Sequence, residues 1–388
     1  MADALRIGLF THSVNPRGGV VHTLELARAL HFLGHRVTVF APAAPGERLF
    51  REAPHEVDLV PVPPAPKRLA DRVGEHIVAL REHLARRLQH ETFDILHAHD
   101  GIGGNALADL AEAGRIAGFV RTVHHLDPFE DSRLAAWQRR SVQQAARVLC
   151  VSPGWCMTIK REFGLDAALV ANGVDCAHFG RMPSARDTAL AGHFGLRRGA
   201  PLFLSVGGIE ARKNSVRLLE AYIRLREELP QAQLVVAGGA SLLDHSDTWR
   251  AFHALAEEVG LKTGTDLVLT GPLLDEDMPP LLRLADALVM PSLREGFGLV
   301  VLEALACGTP VVVSGIPPFT EYLEDTVIDG HALYADPQDP ASIALAMRRA
   351  VEPSRRRALA AEVPPVCRRY SWPASAARHV ELYRALLN

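Results

Sequence analysis

Two glutamates frame the segment of this chain best equipped for chemistry, Glu295-Gly-Phe-Gly-Leu-Val-Val-Leu-Glu303. An apolar run, Ala287-Leu-Val-Met290, precedes it and ends at Pro291 and Ser292. That order predicts a buried parallel strand, a glycine-containing turn, and a helix from about Gly298 to Cys307. A helix opening behind glycines offers unpaired backbone N–H groups and a partial positive charge, a seat for phosphate or sugar oxygens. The seat comprises Gly296, Phe297, Gly298 and Leu299, with one glutamate in the loop and Glu303 about a turn and a half into the helix. A carboxylate repels phosphate, so the two glutamates are better suited to accept hydrogen bonds from hydroxyls. A site needing both anion donors and hydroxyl acceptors suits a nucleotide sugar. The plainer alternative is two solvated charges around an ordinary helix cap.

A second anion seat is written in Val206-Gly-Gly-Ile-Glu-Ala-Arg212-Lys213-Asn, which follows a strand and opens a helix over Val216–Leu225. Cations at a helix N-terminus oppose its dipole, so Arg212 and Lys213 need an anion to account for them. A diphosphate is the ligand this predicts. Gly18-Gly19 follows the first strand and lets backbone approach a ligand closely; a plain strand-to-helix turn is the alternative. His124 ends the strand Val120–Val123, at the carboxyl edge where doubly wound sheets bind ligands. His125 follows it, but strand alternation sends neighbouring side chains to opposite faces.

Other motifs are weaker. His97-Ala-His99-Asp100, together with His124, has a metal-ligand flavour, yet no cysteine joins it and we expect no metal. Gly101-Ile-Gly-Gly-Asn-Ala106 matches the dinucleotide pattern G-x-G-x-x-A but lies well inside the first unit, away from its first strand-to-helix turn. Asp275-Glu-Asp277 precedes Met278-Pro-Pro and reads as a helix cap rather than a metal–diphosphate motif. Asn172-Gly-Val-Asp175 is a turn signal.

These residues need elements to position them. Strand-like runs alternate with helix-length segments from end to end, which predicts α/β architecture with parallel sheets. The first series of strands is Leu5–Phe10, Val37–Phe40, Ile95–Ala98, Val120–Val123 and Val148–Val151. Leu69, Val73, Ile77, Leu80, Leu84 and Leu88 form an amphipathic helical stripe. Its polar face is arginine-rich, which leaves peripheral membrane contact open, although packing on a sheet is the simpler reading. Pro61-Val-Pro63-Pro64-Ala-Pro66 reads as a short stiff loop. A turn-rich stretch from Arg181 to Pro201 reads as a connector. The second series follows: Leu202–Val206, Leu234–Ala237, Leu267–Leu269, Leu288–Met290 and Val311–Val313.

A chain of 388 residues fits two domains. A formal net charge of −3 gives no footprint for nucleic acid. The 5 cysteines are scattered (150, 156, 176, 307, 367) and read as small buried residues of a reducing compartment. With no leader before Leu5 and no membrane-length apolar run, a cytoplasmic location is expected.

The motif P-S-x-x-E-G-F-G-L-x-x-x-E-A-x-x-C-G-x-P-V resembles the retaining GT-B glycosyltransferases of family 4. Asp94-Ile-Leu-His-Ala-His-Asp100, Asn172-Gly-Val-Asp175, Val206-Gly-Gly and Tyr370-Ser-Trp372 are similar to elements of that family, in the same order. The resemblance implies two facing Rossmann-like domains with the active site in the cleft between them. Residues 1–180 would bind acceptor, 181–200 would link, 201–370 would bind the nucleotide sugar, and a helix over 371–388 would cross back to the first domain. It further implies Glu303 on the ribose hydroxyls, Glu295 on the sugar hydroxyls, His124 near the transferred sugar, and Gly18–Gly19 near the donor phosphate and the acceptor. Lys213 matches the lysine of G-R-L-x-x-x-K, whereas Gly208 stands where the family writes arginine, with Arg212 the available substitute. The activity implied is metal-independent, cofactor-free hexosyl transfer to a glycan, lipid or small-molecule acceptor. Three rivals stay open: a GT-B epimerase or phosphorylase, an NAD-dependent Rossmann oxidoreductase, and a non-catalytic sugar-nucleotide binding subunit.

Overall fold

The computed structural model of the chain describes residues 4–63, 68–197, 199–239, 245–323, 332–352, 354 and 368–388. It divides into two compact units, Met1–Gly173 with Trp372–Asn388, and Val174–Ser371.

The first unit is built on a parallel sheet of β1 (Arg6–Phe10), β2 (Arg36–Ala43), β3 (Glu56–Pro61), β4 (Ile95–Ala98), β5 (Val120–Val123), β6 (Arg147–Cys150) and β7 (Ala168–Leu169). Their spatial order is β3-β2-β1-β4-β5-β6-β7. Every residue of β4 and β5 is buried, as expected of strands covered by helices on both faces. The order reverses between β1 and β4, so the crevice at their carboxyl ends is where a ligand belongs. β3 escapes the sequence pattern because it is an edge strand interrupted by charge at Glu56 and Asp58. Pro61, expected in a loop, closes this strand, while Pro64, Ala65 and Pro66 lie outside the described residues.

Helices α1 (Gly18–Phe32), α2 (Leu69–Arg87), α3 (Gly101–Glu112), α4 (Ser132–Gln143) and α5 (Pro153–Phe163) cover this sheet, with a C-terminal helix over Trp372–Leu387 packed on α1. The α2 stripe buries Ile77, Leu80 and Leu84 in a cluster with Phe10, Phe40 and Phe119. Its arginines meet acids: Arg87 pairs with Asp58 at 2.7 Å, and Arg81 reaches Asp109 at 3.4 Å.

The second unit repeats the plan with β8 (Leu202–Val206), β9 (Gln233–Ala237), β10 (Leu267–Gly271), β11 (Ala287–Met290), β12 (Val311–Ser314) and β13 (Ala332–Ala335). The parallel order is β10-β9-β8-β11-β12-β13, with its switch point between β8 and β11. The stretch expected as a connector, 181–200, instead carries α6 (Ala185–His193) and belongs to this unit. Ser184 and Asp187 cap α6 reciprocally, and Asp187 also takes Arg283 at 2.7 Å. The helix is short and alanine-rich, with Leu190 its one large buried apolar side chain, so periodicity could not reveal it.

Among the cysteines, Cys150 and Cys307 are buried and Cys156 is half-buried, and none of these three is in a disulfide. Cys176 is disulfide-bonded, which departs from the reading of the cysteines as small buried residues of a reducing compartment; Cys367 lies outside the described residues. Among the described residues, no helix is long and apolar enough to cross a membrane.

Candidate functional site

In the second unit, the turn after β8 and the loop after β11 meet at the switch point. Asn214 holds the left-handed conformation (φ 62°) at the start of α7 (Ser215–Glu228). Its side-chain amide donates to the Pro291 carbonyl at 3.0 Å and the Pro337 carbonyl at 2.7 Å, and Leu293 N–H donates to the Arg212 carbonyl at 2.9 Å. These bonds tie the turn to the strand ends and set Lys213 and Arg212 beside Glu295. Lys213 Nζ donates to Glu295 Oε2 at 2.6 Å, and Arg212 Nη1 donates to Oε1 at 3.1 Å. The second Arg212 nitrogen meets the buried Glu210 at 3.3 Å. Burial alone would raise the Glu295 pKa, but Lys213 and Arg212 outweigh it and hold the carboxyl at about 2. The anion demanded by cations at a helix start is therefore supplied by the chain itself, on the residue expected to face sugar hydroxyls.

The glycine loop is tightly specified. Gly298 caps α10 (Leu299–Ala306) at φ 85°, and a Cβ there would lie 2.7 Å from Phe319 Cε1. Only glycine fits both demands. Gly296 N–H donates to Glu295 Oε1 at 3.1 Å, so this donor faces its own neighbour's carboxylate. Phe297 is buried and stacks on Tyr322 at 4.6 Å. Its side chain is thus a core element, and a binding role is left to its backbone alone. Leu299 opens α10, and Glu303 sits half-buried in the helix's second turn.

Gly208 is not an arginine position waiting to be filled. Its φ is 76°, and a Cβ would approach the Gly239 carbonyl oxygen to 2.7 Å. Restoring the family residue as Gly208→Arg should therefore destabilise the second unit by about 1–3 kcal/mol for the backbone conformation alone. A denaturant midpoint equal to wild type would refute this.

In the first unit, Gly18 opens α1, and Gly19 lies with His124 Cδ2 3.7 Å from where its Cβ would be. His124, half-buried just beyond β5, lies in a group of histidines that sequence reasoning brought together only in part. His22 on α1 and His99 just beyond β4 surround it, with ring centroids 4.6 and 5.7 Å from its own. His97 and His379 extend the group. Burial pushes His22 down to about 3 and His379 to about 4, and holds His97, His99 and His124 well below the usual imidazole range. All five are neutral at pH 7. His125 instead is exposed and pairs with Asp127 at 3.3 Å.

The weaker motifs find structural explanations. Asp100 caps α3 by accepting from Gly103 N–H at 2.8 Å. A Cβ on Gly103 would meet Phe10, and one on Gly104 would meet Ser141, each at 2.7 Å. The dinucleotide-like glycines therefore serve helix packing. Asp277 precedes α9 (Met278–Leu284) but makes no cap hydrogen bond; it pairs with Arg186 at 2.6 Å, correcting the cap assignment. Asn172 meets His22 Nδ1 at 2.9 Å, and Asp175 accepts from Ala177 N–H at 3.0 Å.

Two parallel doubly wound sheets, each with polar residues at its switch point, define a protein of two Rossmann-like units. Comparison with known proteins agrees. The family "Glycosyl transferases group 1" matches residues 190–363, and "Glycosyltransferase Family 4" matches residues 16–178. The chain is 30% identical over 402 residues to D-inositol 3-phosphate glycosyltransferase of Xylanimonas cellulosilytica, covering 94% of this chain and 91% of that one. It is 29% identical to phosphatidyl-myo-inositol mannosyltransferase of Mycobacterium tuberculosis, covering 98% and 97%. Sucrose-phosphate synthase from Thermosynechococcus elongatus shares the fold, with a TM-score of 0.78 at 23% identity over 98% of each chain. The chain belongs to glycosyltransferase family 4, the group 1 glycosyl transferases, and is a GT-B glycosyltransferase that uses a nucleotide sugar.

Proposed function

We propose that this glycosyltransferase moves a hexosyl group, with retention and without a metal, from a nucleoside diphosphate sugar to a hydroxyl acceptor. The observation that carries this is the Lys213–Glu295–Arg212 cluster at the second unit's switch point. Two cations borne by the protein can neutralise a departing diphosphate, which removes the need for a bound ion. As the sugar C1 becomes cationic, negative charge builds on the leaving phosphate, and donors already in place act there with the largest effect. Lys213 and Arg212 take that role with the N–H groups of Gly298 and Leu299, beside the backbone of Gly208, Gly296 and Phe297. The incoming diphosphate takes over the cations and releases the Glu295 carboxylate to accept from sugar hydroxyls. Glu303 holds the ribose hydroxyls, His124 serves the transferred sugar, and Gly18–Gly19 serves the donor phosphate and the acceptor.

Retention rests on family membership. The named relatives act on inositol-containing acceptors, which makes a polyol or its phosphate the first acceptor class to try. A cytoplasmic setting belongs to the same reading, checked by fractionation; the Cys176 disulfide is the observation against it.

A panel of UDP-, GDP-, ADP- and TDP-sugars, scored by thermal shift and nucleotide release with and without EDTA, tests the proposal. Selective stabilisation by one nucleotide, EDTA-insensitive release and a product of the donor's anomeric configuration are expected. Release abolished by EDTA would overturn metal independence, and an inverted product would overturn retention. In the same assay Glu303→Ala should chiefly weaken the nucleotide, by about 1.5–3 kcal/mol for hydrogen bonds to a charged group. Unchanged affinity for the free nucleoside diphosphate would remove Glu303 from the site.

A further inference from the structure

The histidine group in the first unit holds more imidazole nitrogen than sugar binding uses. We propose that His22, His99 and His124 form a binding site for one divalent transition-metal ion of the zinc class, with three imidazole ligands and an open fourth position. Three elements deliver these rings to one point: α1 carries His22, while His99 and His124 stand just beyond the carboxyl ends of β4 and β5. One nitrogen from each ring lies within 4.8 Å of the other two. His22 Nε2, His124 Nε2 and both His99 nitrogens are buried with no hydrogen-bond partner.

An ordinary buried histidine is satisfied, and this fold shows that it can do so. Next to the site, His97 uses both nitrogens, at 2.6 Å from the Tyr383 hydroxyl and 2.8 Å from Thr122 Oγ1. His99, stacked on it at 4.2 Å, leaves both nitrogens unpartnered, as His55 also does; what sets His99 apart is that unpartnered nitrogens of His22 and His124 converge on it. Each unsatisfied buried polar atom costs about 1–3 kcal/mol, and a single ion would relieve one nitrogen on each of the three rings.

The outer partners also fit. With Asn172 Oδ1 at 2.9 Å, His22 Nδ1–H is the donor and Nε2 carries the lone pair. A second hydrogen bond of this kind fixes tautomer and ring orientation in metal sites. Zinc binds imidazole nitrogen at roughly 2.0–2.1 Å, so a tetrahedral ion needs its nitrogens ~3.4 Å apart. The nitrogens stand within 4.8 Å of one another here, so binding would draw the three rings inward. Neutral imidazoles select zinc, copper or nickel rather than magnesium, which prefers oxygen ligands. The adverse neighbour is the buried Arg121, and the Asp100 carboxylate beside it supplies the opposing charge.

The ion-binding site stands independently of the glycosyl-transfer reading; one consequence rests on it. An ion on His124 withholds that ring from the sugar, so occupation would inhibit transfer.

The test uses the full chain stripped with a chelator. Co2+ is titrated while its visible absorption is followed, and Zn2+ affinity is measured by competition with a chromophoric chelator. Wild type should bind one equivalent, with the intense absorption of a four-coordinate ion. His99→Ala should weaken binding by more than about 100-fold, beyond the roughly 10–100-fold that loss of the outer partner in Asn172→Ala should cost. Because His99 is buried and its variant could misfold, the half-buried His124→Gln provides a second loss of ligand, with circular dichroism reporting the fold. His125→Ala, exposed and paired with Asp127, should bind as wild type does. Absence of saturable binding at one ion per chain, or wild-type affinity in a folded His99→Ala or His124→Gln protein, would overturn the site. Binding is read without donor or acceptor, so a failed transfer assay leaves this result intact, and failed ion binding leaves the transferase reading intact.

Discussion

Lys213→Ala should slow the chemical step by about 10²–10³, or roughly 2.7–4 kcal/mol, by analogy with the loss of one preorganised oxyanion donor. Lys213 is one of two cations pinned beside the second unit's switch point, and its side chain is 11% exposed. A poorly hydrated ammonium aimed at a developing phosphate charge acts more strongly than one in bulk water. The loss should appear in kcat as well as kcat/KM, because the charge it meets grows toward the transition state. Arg212 is about one-third exposed and shared with Glu210, so Arg212→Ala should cost less. Single-turnover nucleotide release measures both. A Lys213→Ala rate within a few-fold of wild type would remove the lysine from catalysis and leave it a structural partner of Glu295.

Glu295→Gln should produce the largest change in stability. The substitution leaves Lys213 without its carboxylate in a site where both side chains are about nine-tenths buried. Breaking a buried pair from one side costs about 3–5 kcal/mol. The carboxyl is held at about 2, below the unfolded value of roughly 4.3. Its stabilising contribution is therefore fully present above about pH 4.3 and is lost as the pH falls through about 2. Over that window wild type should lose stability more steeply than Glu295→Gln, and at neutral pH the variant should be weaker. A nucleoside diphosphate, supplying the missing anion, should recover part of the deficit in the variant. Denaturant curves with and without that ligand decide it. Equal midpoints at pH 7 would show that the cluster contributes nothing to stability, and absence of recovery would argue against the diphosphate seat.

The strands that matter for the site were legible because they are short, fully buried and rich in aliphatic residues, despite His97, Arg121 and Thr122 within them: Ile95–Ala98, Val120–Val123 and Ala287–Met290. The edge strand β3 was not, since solvent allows charge inside it, as at Glu56 and Asp58. The α10 turn was readable from Gly298 because a left-handed cap is a local requirement. That the Phe297 side chain enters the core was not legible, because local sequence cannot say which side of a loop meets the core, and the stacking partner Tyr322 is distant in the chain. The weak dinucleotide-like pattern has a similar explanation: the residues that need small neighbours at Gly103 and Gly104, Phe10 and Ser141, come from other elements.

By itself the sequence determined the two parallel-sheet units, the seats behind β8 and β11, and the residue types able to meet phosphate and hydroxyls, since period, glycine placement and charge are local properties of the chain. The tertiary structure alone decided that Glu295 neutralises Lys213 and Arg212, and that Asn214 fixes the turn bearing them. It alone gathered His22, His99 and His124, from positions far apart in the chain, into one buried group. Pairing and burial of that kind arise only when sheet order brings separate strand ends together, and no local pattern records which ends will meet.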